Sequence, residues 1–331
     1  MTTRESLESM SDERLDGLLK DEHARFTGLV ATDPATEEVR RIANDIRRVW
    51  ATNAIEGSTL TIDETAQLIE KGVTAGGKKF ADHQDAFSTL EAIQLSRELV
   101  TEERPITQAD VRTLHATVVG RTNPDIAGRY AQAGRTIAGH DDTVFFPSPA
   151  EIPALMGDYI ETVNGAERGL ASAGAAHSEL VSIHPFQDGN GRTSRIVMNA
   201  ILERDGYPAA VIDPVQHRER YIAAVSDFHQ TGNDEPFNRF LKERMVESLT
   251  RANSFLERNR STSLGADVAE ALRGAEGSAG RESLAARMVA NAMTNPERRA
   301  RALTTIDKIE QGRAREQGRE TDMQPDLDIG D

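Results

Sequence analysis

The residues able to do chemistry in this chain lie close together in one stretch, His184-Pro185-Phe186-Gln187-Asp188-Gly189-Asn190-Gly191-Arg192-Thr193-Ser194-Arg195. An apolar helix end, Leu180-Val181-Ser182-Ile183, runs into His184. Pro185 stops it there, because proline lacks a backbone donor and restricts the residue before it. A Gly-Asn-Gly turn follows, and a second helix begins with Ile196, Val197, Ala200 and Ile201 on its buried face. Glycines at a helix start let backbone N–H groups converge on an anion, and the helix dipole reinforces them. Arg192 and Arg195 stand three apart in the first turn, so they share a face. Two guanidinium groups there suit a polyphosphate. Asp188 is placed to hold Mg²⁺ between phosphates. His184 is placed to act as a general base, since a neutral imidazole takes a proton near physiological pH.

Taken singly these features are ordinary. A histidine beside a proline is usually structural, and Gly-x-Gly is usually a turn. The arginines are different, because cations belong at the C-terminal end of a helix. Their place at an N-terminus makes sense with an anion between them. His115, His177 and His217 lack metal-ligand spacing and read as structural or exposed.

The elements that must position this stretch follow from periodicity. Residues 1–35 are polar and read as a loosely held helix or arm. From Thr36 the residues Val39, Ile42, Ile46 and Val49 form one helical stripe, ending near Glu56-Gly57. Thr61-Ile62-Asp63-Glu64 is a capping-box signature for a short helix stopping at Gly72. Further helices are expected over 80–100, from Thr107, over 149–164, 174–183, after Gly191 to about 205, and over 218–229 and 235–256. Between them, residues 123–149 hold Thr136-Ile137 and Thr143-Val144-Phe145-Phe146 as short strands of a hairpin turning at Gly139-His140-Asp141-Asp142.

The stretch at 184–195 resembles the Fic family motif, His-x-Phe-x-Asp/Glu-Gly-Asn-Gly-Arg-x-x-Arg, at every specified position. The resemblance covers roughly residues 36–250. It implies an all-α Fic/Fido helical bundle with a small β-hairpin flap, to which the sequence pattern adds a C-terminal helical extension. Composition and pattern divide the chain into an N-terminal arm (1–35), the catalytic domain (36–255), a helical extension without assigned role (256–312) and a disordered tail (313–331), the last two beyond the reach of the resemblance. The resemblance also implies a protein adenylyltransferase, which moves AMP from ATP to a Ser, Thr or Tyr hydroxyl of a target protein and releases pyrophosphate. His184 would be the base, Phe186 the anchor of the loop and Asp188 the ligand of Mg²⁺. Gly189, Asn190 and Gly191 would form the anion hole, with Arg192 and Arg195 on the phosphates. Thr52-Asn53-Ala54-Ile55-Glu56-Gly57 resembles the family's inhibitory helix, Ser/Thr-x-x-x-Glu-Gly/Asn. Its Thr52, Glu56 and Gly57 would place a carboxylate on Arg195, where the γ-phosphate belongs. In some relatives the same glutamate supports removal of AMP. Thr136, Ile137 and Ala138 would bind the target segment by strand addition. Tyr221, Val225 and His229, four apart on one helical face, would wall the adenine pocket. Kinase-like relatives carry lysine where Gly191 stands, so glycine here favours AMP transfer. Transfer from another nucleotide or a phosphocholine donor, and a binding module without activity, are the competing readings. An intact His184 with both arginines speaks against the last. Self-modification and a homodimer are further expectations of the family.

Composition sets the outer limits. The chain has 331 residues, 38% hydrophobic and 28% charged, with 5% aromatic, so its core rests on aliphatic side chains. The formal net charge of −15 argues against broad nucleic-acid binding. With no cysteine, disulfides and thiolate metal sites are excluded, and a cytoplasmic location is the natural expectation. No apolar stretch is long enough for a secretory signal or a membrane span.

Overall fold

The computed structural model describes residues 7–138 and 143–259. The expected turn at 139–142 and nearly all of the expected extension and tail lie outside the described residues. Ten α-helices, a single 3-10 turn (Pro124–Ile126) and one hairpin make up the regular structure of the described part, an all-α architecture. They are α1 (Asp12–Thr32), α2 (Pro34–Ile55), α3 (Ile62–Lys71), α4 (Phe80–Leu99), α5 (Gln108–Val119), β1 (Thr136–Ala138), β2 (Thr143–Phe145), α6 (Ile152–Gly165), α7 (Leu170–Ile183), α8 (Asn190–Arg204), α9 (Arg218–Thr231) and α10 (Glu235–Asn259).

Local chemistry explains several boundaries. Thr61 and Glu64 exchange the two hydrogen bonds of a capping box at the start of α3, and Thr107 and Asp110 do so at the start of α5. Gly72 closes α3 in the left-handed conformation. The end of α2 is a Schellman motif: Ser58 N–H donates to the Asn53 carbonyl and Gly57 N–H to Ala54. Gly57 has φ +95°, which a side chain would strain.

Helix α8 is the axis of the bundle. Ile196, Val197, Met198, Ala200, Ile201 and Leu202 are all buried, and α2, α4, α5 and α7 pack around it. A buried ion cluster fixes α2 against α8. Arg97 of α4 makes paired hydrogen bonds to Asp45 at 2.7 and 2.8 Å and also reaches Glu203 at 2.9 Å. Arg48 completes the cluster, 3.1 Å from Glu203 and 3.2 Å from Asp45. Burial pushes the Asp45 carboxyl up, but Arg97, Arg48 and Arg41 outweigh it, and its pKa lies below the ordinary value. This anchor joins the middle of α2 to the far end of α8. The two helices therefore run antiparallel, and the end of α2 arrives beside the start of α8.

Of the two forms expected for the N-terminal segment, a loosely held helix or an arm, the structure shows a helix, and one that is packed rather than loosely held. Helix α1 packs along α10, with Leu15, Phe26 and Leu29 buried. Arg25 pairs with Glu257 at 2.6 Å, and Asn253 donates to Glu22 at 2.6 Å. Three well-spaced apolar residues suffice because charged partners on α10 occupy the rest of the face.

Candidate active site

The histidine stands where α7 ends. His184 closes that helix with φ 50° and ψ 55°, the one non-glycine residue with positive φ among the described residues. Such backbone strain persists only where the surroundings enforce it. Its Nδ1–H donates to the Val181 carbonyl at 3.2 Å, which leaves Nε2 as the lone-pair nitrogen. Phe146, just past β2, stacks on the imidazole with centroids 4.0 Å apart. Burial, together with Arg135 and His229, outweighs the opposing Val181 and Glu56, and His184 titrates at about 4. The ring is thus a neutral base at pH 7.

The next turn is rigid. Phe186 is fully buried. Its N–H donates to Asn190 Oδ1 at 2.9 Å, and Asn190 Nδ2 donates back to its carbonyl at 2.8 Å. His115 of α5 lies flat against the Phe186 ring, centroids 3.7 Å apart. Its Nε2–H donates to the Asp188 carbonyl at 2.9 Å, while its Nδ1 accepts from Gly128 N–H at 3.0 Å. These two bonds fix a neutral tautomer, and burial holds His115 at about 4. Gly189, with φ +80°, precedes α8, and a Cβ there would lie 2.7 Å from Val119 Cγ1. Asp188 points outward, its side chain 64% exposed, with Oδ1 accepting from Gly189 N–H.

Both arginines of α8 are buried and both face carboxylates. Arg192 lies 2.9 Å from Asp85 of α4, and its Nε has no hydrogen-bond partner. Arg195 is held from several sides. Its Nε donates to Thr52 Oγ1 at 2.7 Å, Nη2 to the Thr52 carbonyl at 3.2 Å, and Nη1 to the Tyr221 hydroxyl at 3.1 Å. Nη2 also meets Glu56 Oε1 at 2.6 Å. Glu56 caps the C-terminal end of α2, where a negative charge opposes the helix dipole. Its burial raises the carboxyl pKa, yet Arg195 first, then Arg192 and His184, bring it below the ordinary value. The carboxylate lies directly over Gly191, where any Cβ would collide with Oε1.

The remaining expected residues fall around this centre. Tyr221 is buried, and its hydroxyl lies 3.0 Å from His177 Nε2, so it sits under Arg195. Val225 packs against the core from one turn further on. His229 donates from Nε2 to the Phe145 carbonyl at 3.2 Å, tying α9 to the hairpin. Thr136 pairs with Phe145, Ile137 with Val144 and Ala138 with Thr143, an antiparallel two-stranded flap beside His184. Residue types alone did not assign His115 and His177 to this centre. Their signal was position, since each falls on the apolar face of its helix. Burial holds His177 at about 3, so it meets the Tyr221 hydroxyl as a neutral ring. Among the described residues no group of three or more His, Cys, Asp or Glu could hold a metal ion, and no helix is long and apolar enough to cross a membrane.

Comparison with known proteins places this geometry. Residues 105–202 match the Fic/DOC family model. The chain is 29% identical over 247 residues to "Protein adenylyltransferase Fic" of Drosophila ananassae, covering 73% of this chain and 48% of that protein. It is 32% identical over 206 residues to the protein of the same name from Aedes aegypti, covering 60% and 40%. The chain thus spans about half the length of the curated relatives it matches or less. A Fic domain containing signaling protein from Bacteroides thetaiotaomicron shares the fold, with a TM-score of 0.67 at 24% identity over 72% of this chain and 97% of that one.

Proposed function

The chain carries a Fic/DOC-family domain, and we propose that it works as a protein adenylyltransferase restrained by its own Glu56. One observation carries the reading. A neutral imidazole with a free Nε2 stands beside a Gly-Asn-Gly helix start that bears two buried arginines. His184 Nε2 takes the proton of a target Ser, Thr or Tyr hydroxyl. That oxygen attacks the α-phosphorus of ATP, the bond from the α-phosphorus to the bridging oxygen breaks, and pyrophosphate leaves. The backbone of Gly189, Asn190 and Gly191 faces the phosphate charge, with Arg192 and Arg195 behind it. Transfer of this kind depends on positioning and charge stabilisation more than on covalent help from the protein.

Asp188 fits a Mg²⁺ that arrives with the nucleotide. It offers one exposed carboxylate, and this cation keeps waters and phosphate oxygens for most of its ligands. When bound, the ion neutralises charge between phosphates. The flap offers strand edges to a target segment, and α9 carries Tyr221, Val225 and His229 along the nucleotide side.

Glu56 supplies the restraint. Its carboxylate pairs with Arg195 Nη2 and covers Gly191, so the end of the phosphate chain finds its place filled. The same carboxylate is a candidate to orient water and remove AMP, an activity that should vanish in Glu56→Gly. The test uses Mg²⁺ and ATP labelled at the α-phosphate, with wild type, Glu56→Gly and His184→Ala. Strong protein labelling in Glu56→Gly, weak in wild type and none in His184→Ala is expected. Label arriving from the γ-phosphate instead would establish a kinase. No label from any nucleotide would remove the transferase reading.

A further inference from the structure

Arg135 stands just before β1, outside the 184–195 stretch. Its side chain is buried, with 6% of the residue exposed. Nη2 donates to the Pro147 carbonyl at 2.6 Å, while its own carbonyl accepts from Phe146 N–H at 3.3 Å. The residue thus closes the base of the flap. Phe146 in turn stacks on His184, so the backbone of Arg135 is joined to the base through one residue. Nε and Nη1 of Arg135 are buried without any hydrogen-bond partner, and no carboxylate among the described residues pairs with it.

A buried cation with two unmet donors is costly, because desolvation is not offset by an opposite charge. The other two arginines of the site each face a carboxylate, Asp85 or Glu56. Arg135 alone of the three has no carboxylate facing it, and its backbone is bonded to Phe146, which stacks on His184. We propose that Arg135 is a binding residue for the α-phosphate of the adenylyl group being transferred, gripping a non-bridging oxygen from the flap side. Nε and Nη1 point from different edges of the guanidinium, because Nη2 is held by Pro147, so each can give a single charge-assisted hydrogen bond to an anionic oxygen. Charge on those oxygens is what the site must stabilise during transfer. A carboxylate of the target could satisfy the same donors. The α-phosphate is favoured because the guanidinium lies inside the base of the flap, whereas the exposed outer position of the strand is taken by Phe145, 72% exposed.

The inference rests on the transferase reading, and its test separates the two. Glu56→Gly, Glu56→Gly/Arg135→Met and Glu56→Gly/Arg135→Lys are titrated calorimetrically with AMP and with pyrophosphate, and transfer from ATP is timed. AMP presents the α-phosphate alone. Its affinity should fall at least ~10-fold in the methionine variant, the scale of a lost charge-assisted hydrogen bond, and recover in part with lysine. Pyrophosphate binding should stay unchanged. The melting temperature should hold or rise, because an unpaired buried charge has been removed. Unchanged AMP affinity and transfer rate in Arg135→Met would overturn the assignment while leaving the transferase intact. So would a defect confined to the KM for the protein target, which would give Arg135 to a target carboxylate. A large fall in melting temperature with normal AMP binding would reduce it to a brace for Pro147. If Glu56→Gly itself binds no AMP, the transferase reading fails, and this role fails with it.

Discussion

Replacing Glu56 tests the restraint quantitatively. Glu56 Oε1 lies 2.6 Å from Arg195 Nη2. Opposite charges whose centres are about 4 Å apart attract by about 4 kcal/mol at an effective dielectric near 20. The glutamate side chain is 42% exposed, and solvent screening reduces the pair to about 2 kcal/mol. If ATP can bind productively only when this pair opens, about 3% of molecules are competent at rest. Glu56→Gly should then raise AMP transfer about 30-fold at ATP concentrations below KM. Glu56→Gln keeps an oxygen that can accept from Nη2 but loses the charge, and should fall between, about 5- to 10-fold above wild type. The assay is the initial rate of incorporation from α-labelled ATP, with His184→Ala as the blank. Equal rates and equal ATP affinity in wild type, Gln and Gly would refute the argument, since they would show that the pair stands outside the path of the nucleotide.

Three further outcomes follow from the same geometry. Asp45→Ala leaves Arg97 and Arg48 with one carboxylate between them, and urea unfolding should show a loss of about 3–5 kcal/mol, against less than about 1 kcal/mol for exposed pairs such as Arg121–Glu91. Gly189→Ala forces a side chain into left-handed backbone and against Val119; we expect a loss of at least ~2 kcal/mol and of transfer activity in the Glu56→Gly background, read by melting and by labelling. The pH profile is fixed by two depressed groups: His184 is neutral above its pKa of about 4, so transfer by Glu56→Gly should be flat from pH 6 to 8. Glu56 lies below its ordinary value, so its pairing holds above that value and is lost only as pH falls through the depressed one, where His184 is also becoming protonated. The ratio of Glu56→Gly to wild-type activity should therefore stay constant from pH 8 to about pH 5, and a burst of wild-type activity on mild acidification would contradict this.

Local chemistry was readable from the chain because it acts between neighbours. The capping boxes at Thr61 and Thr107, the glycine stop at Gly72 and the turn at Gly57 all depend on residues within a few positions. So did the site, whose histidine, glycines and arginines come from one continuous stretch. What could not be read depends on contacts distant in sequence. Asp45, Arg97 and Glu203 look like solvated surface charges until three helices bring them together. Leu15, Phe26 and Leu29 are too sparse in α1 to announce burial, and only the charged partners on α10 complete that face. His115 and His177 carry no motif, and their roles appear only when Phe186 and Tyr221 arrive beside them. Arg135 gave no local sign at all, because its meaning is the absence of a partner in a buried place.

The way Arg195 is held decides what kind of restraint Glu56 can be. Of the four oxygens around its guanidinium, three are neutral: the Thr52 hydroxyl, the Thr52 carbonyl and the Tyr221 hydroxyl. None of these depends on Glu56, and Thr52 and Tyr221 are both buried. Removing the carboxylate therefore leaves the arginine in place, with Nη1 still beside Gly191. The anion loop is equally independent, since Asn190, Phe186 and His115 brace it from the opposite side. On the proposed reading, the catalytic geometry is complete with Glu56 in place, and Glu56 would act by filling space and charge rather than by bending the site. Release then requires moving one side chain at the end of α2, where a helix terminus opposes its charge and 42% of its surface meets solvent. A partner that draws Glu56 outward, or a nucleotide that competes for Arg195, needs only to exceed the pair's modest net strength, with no refolding of the bundle around α8.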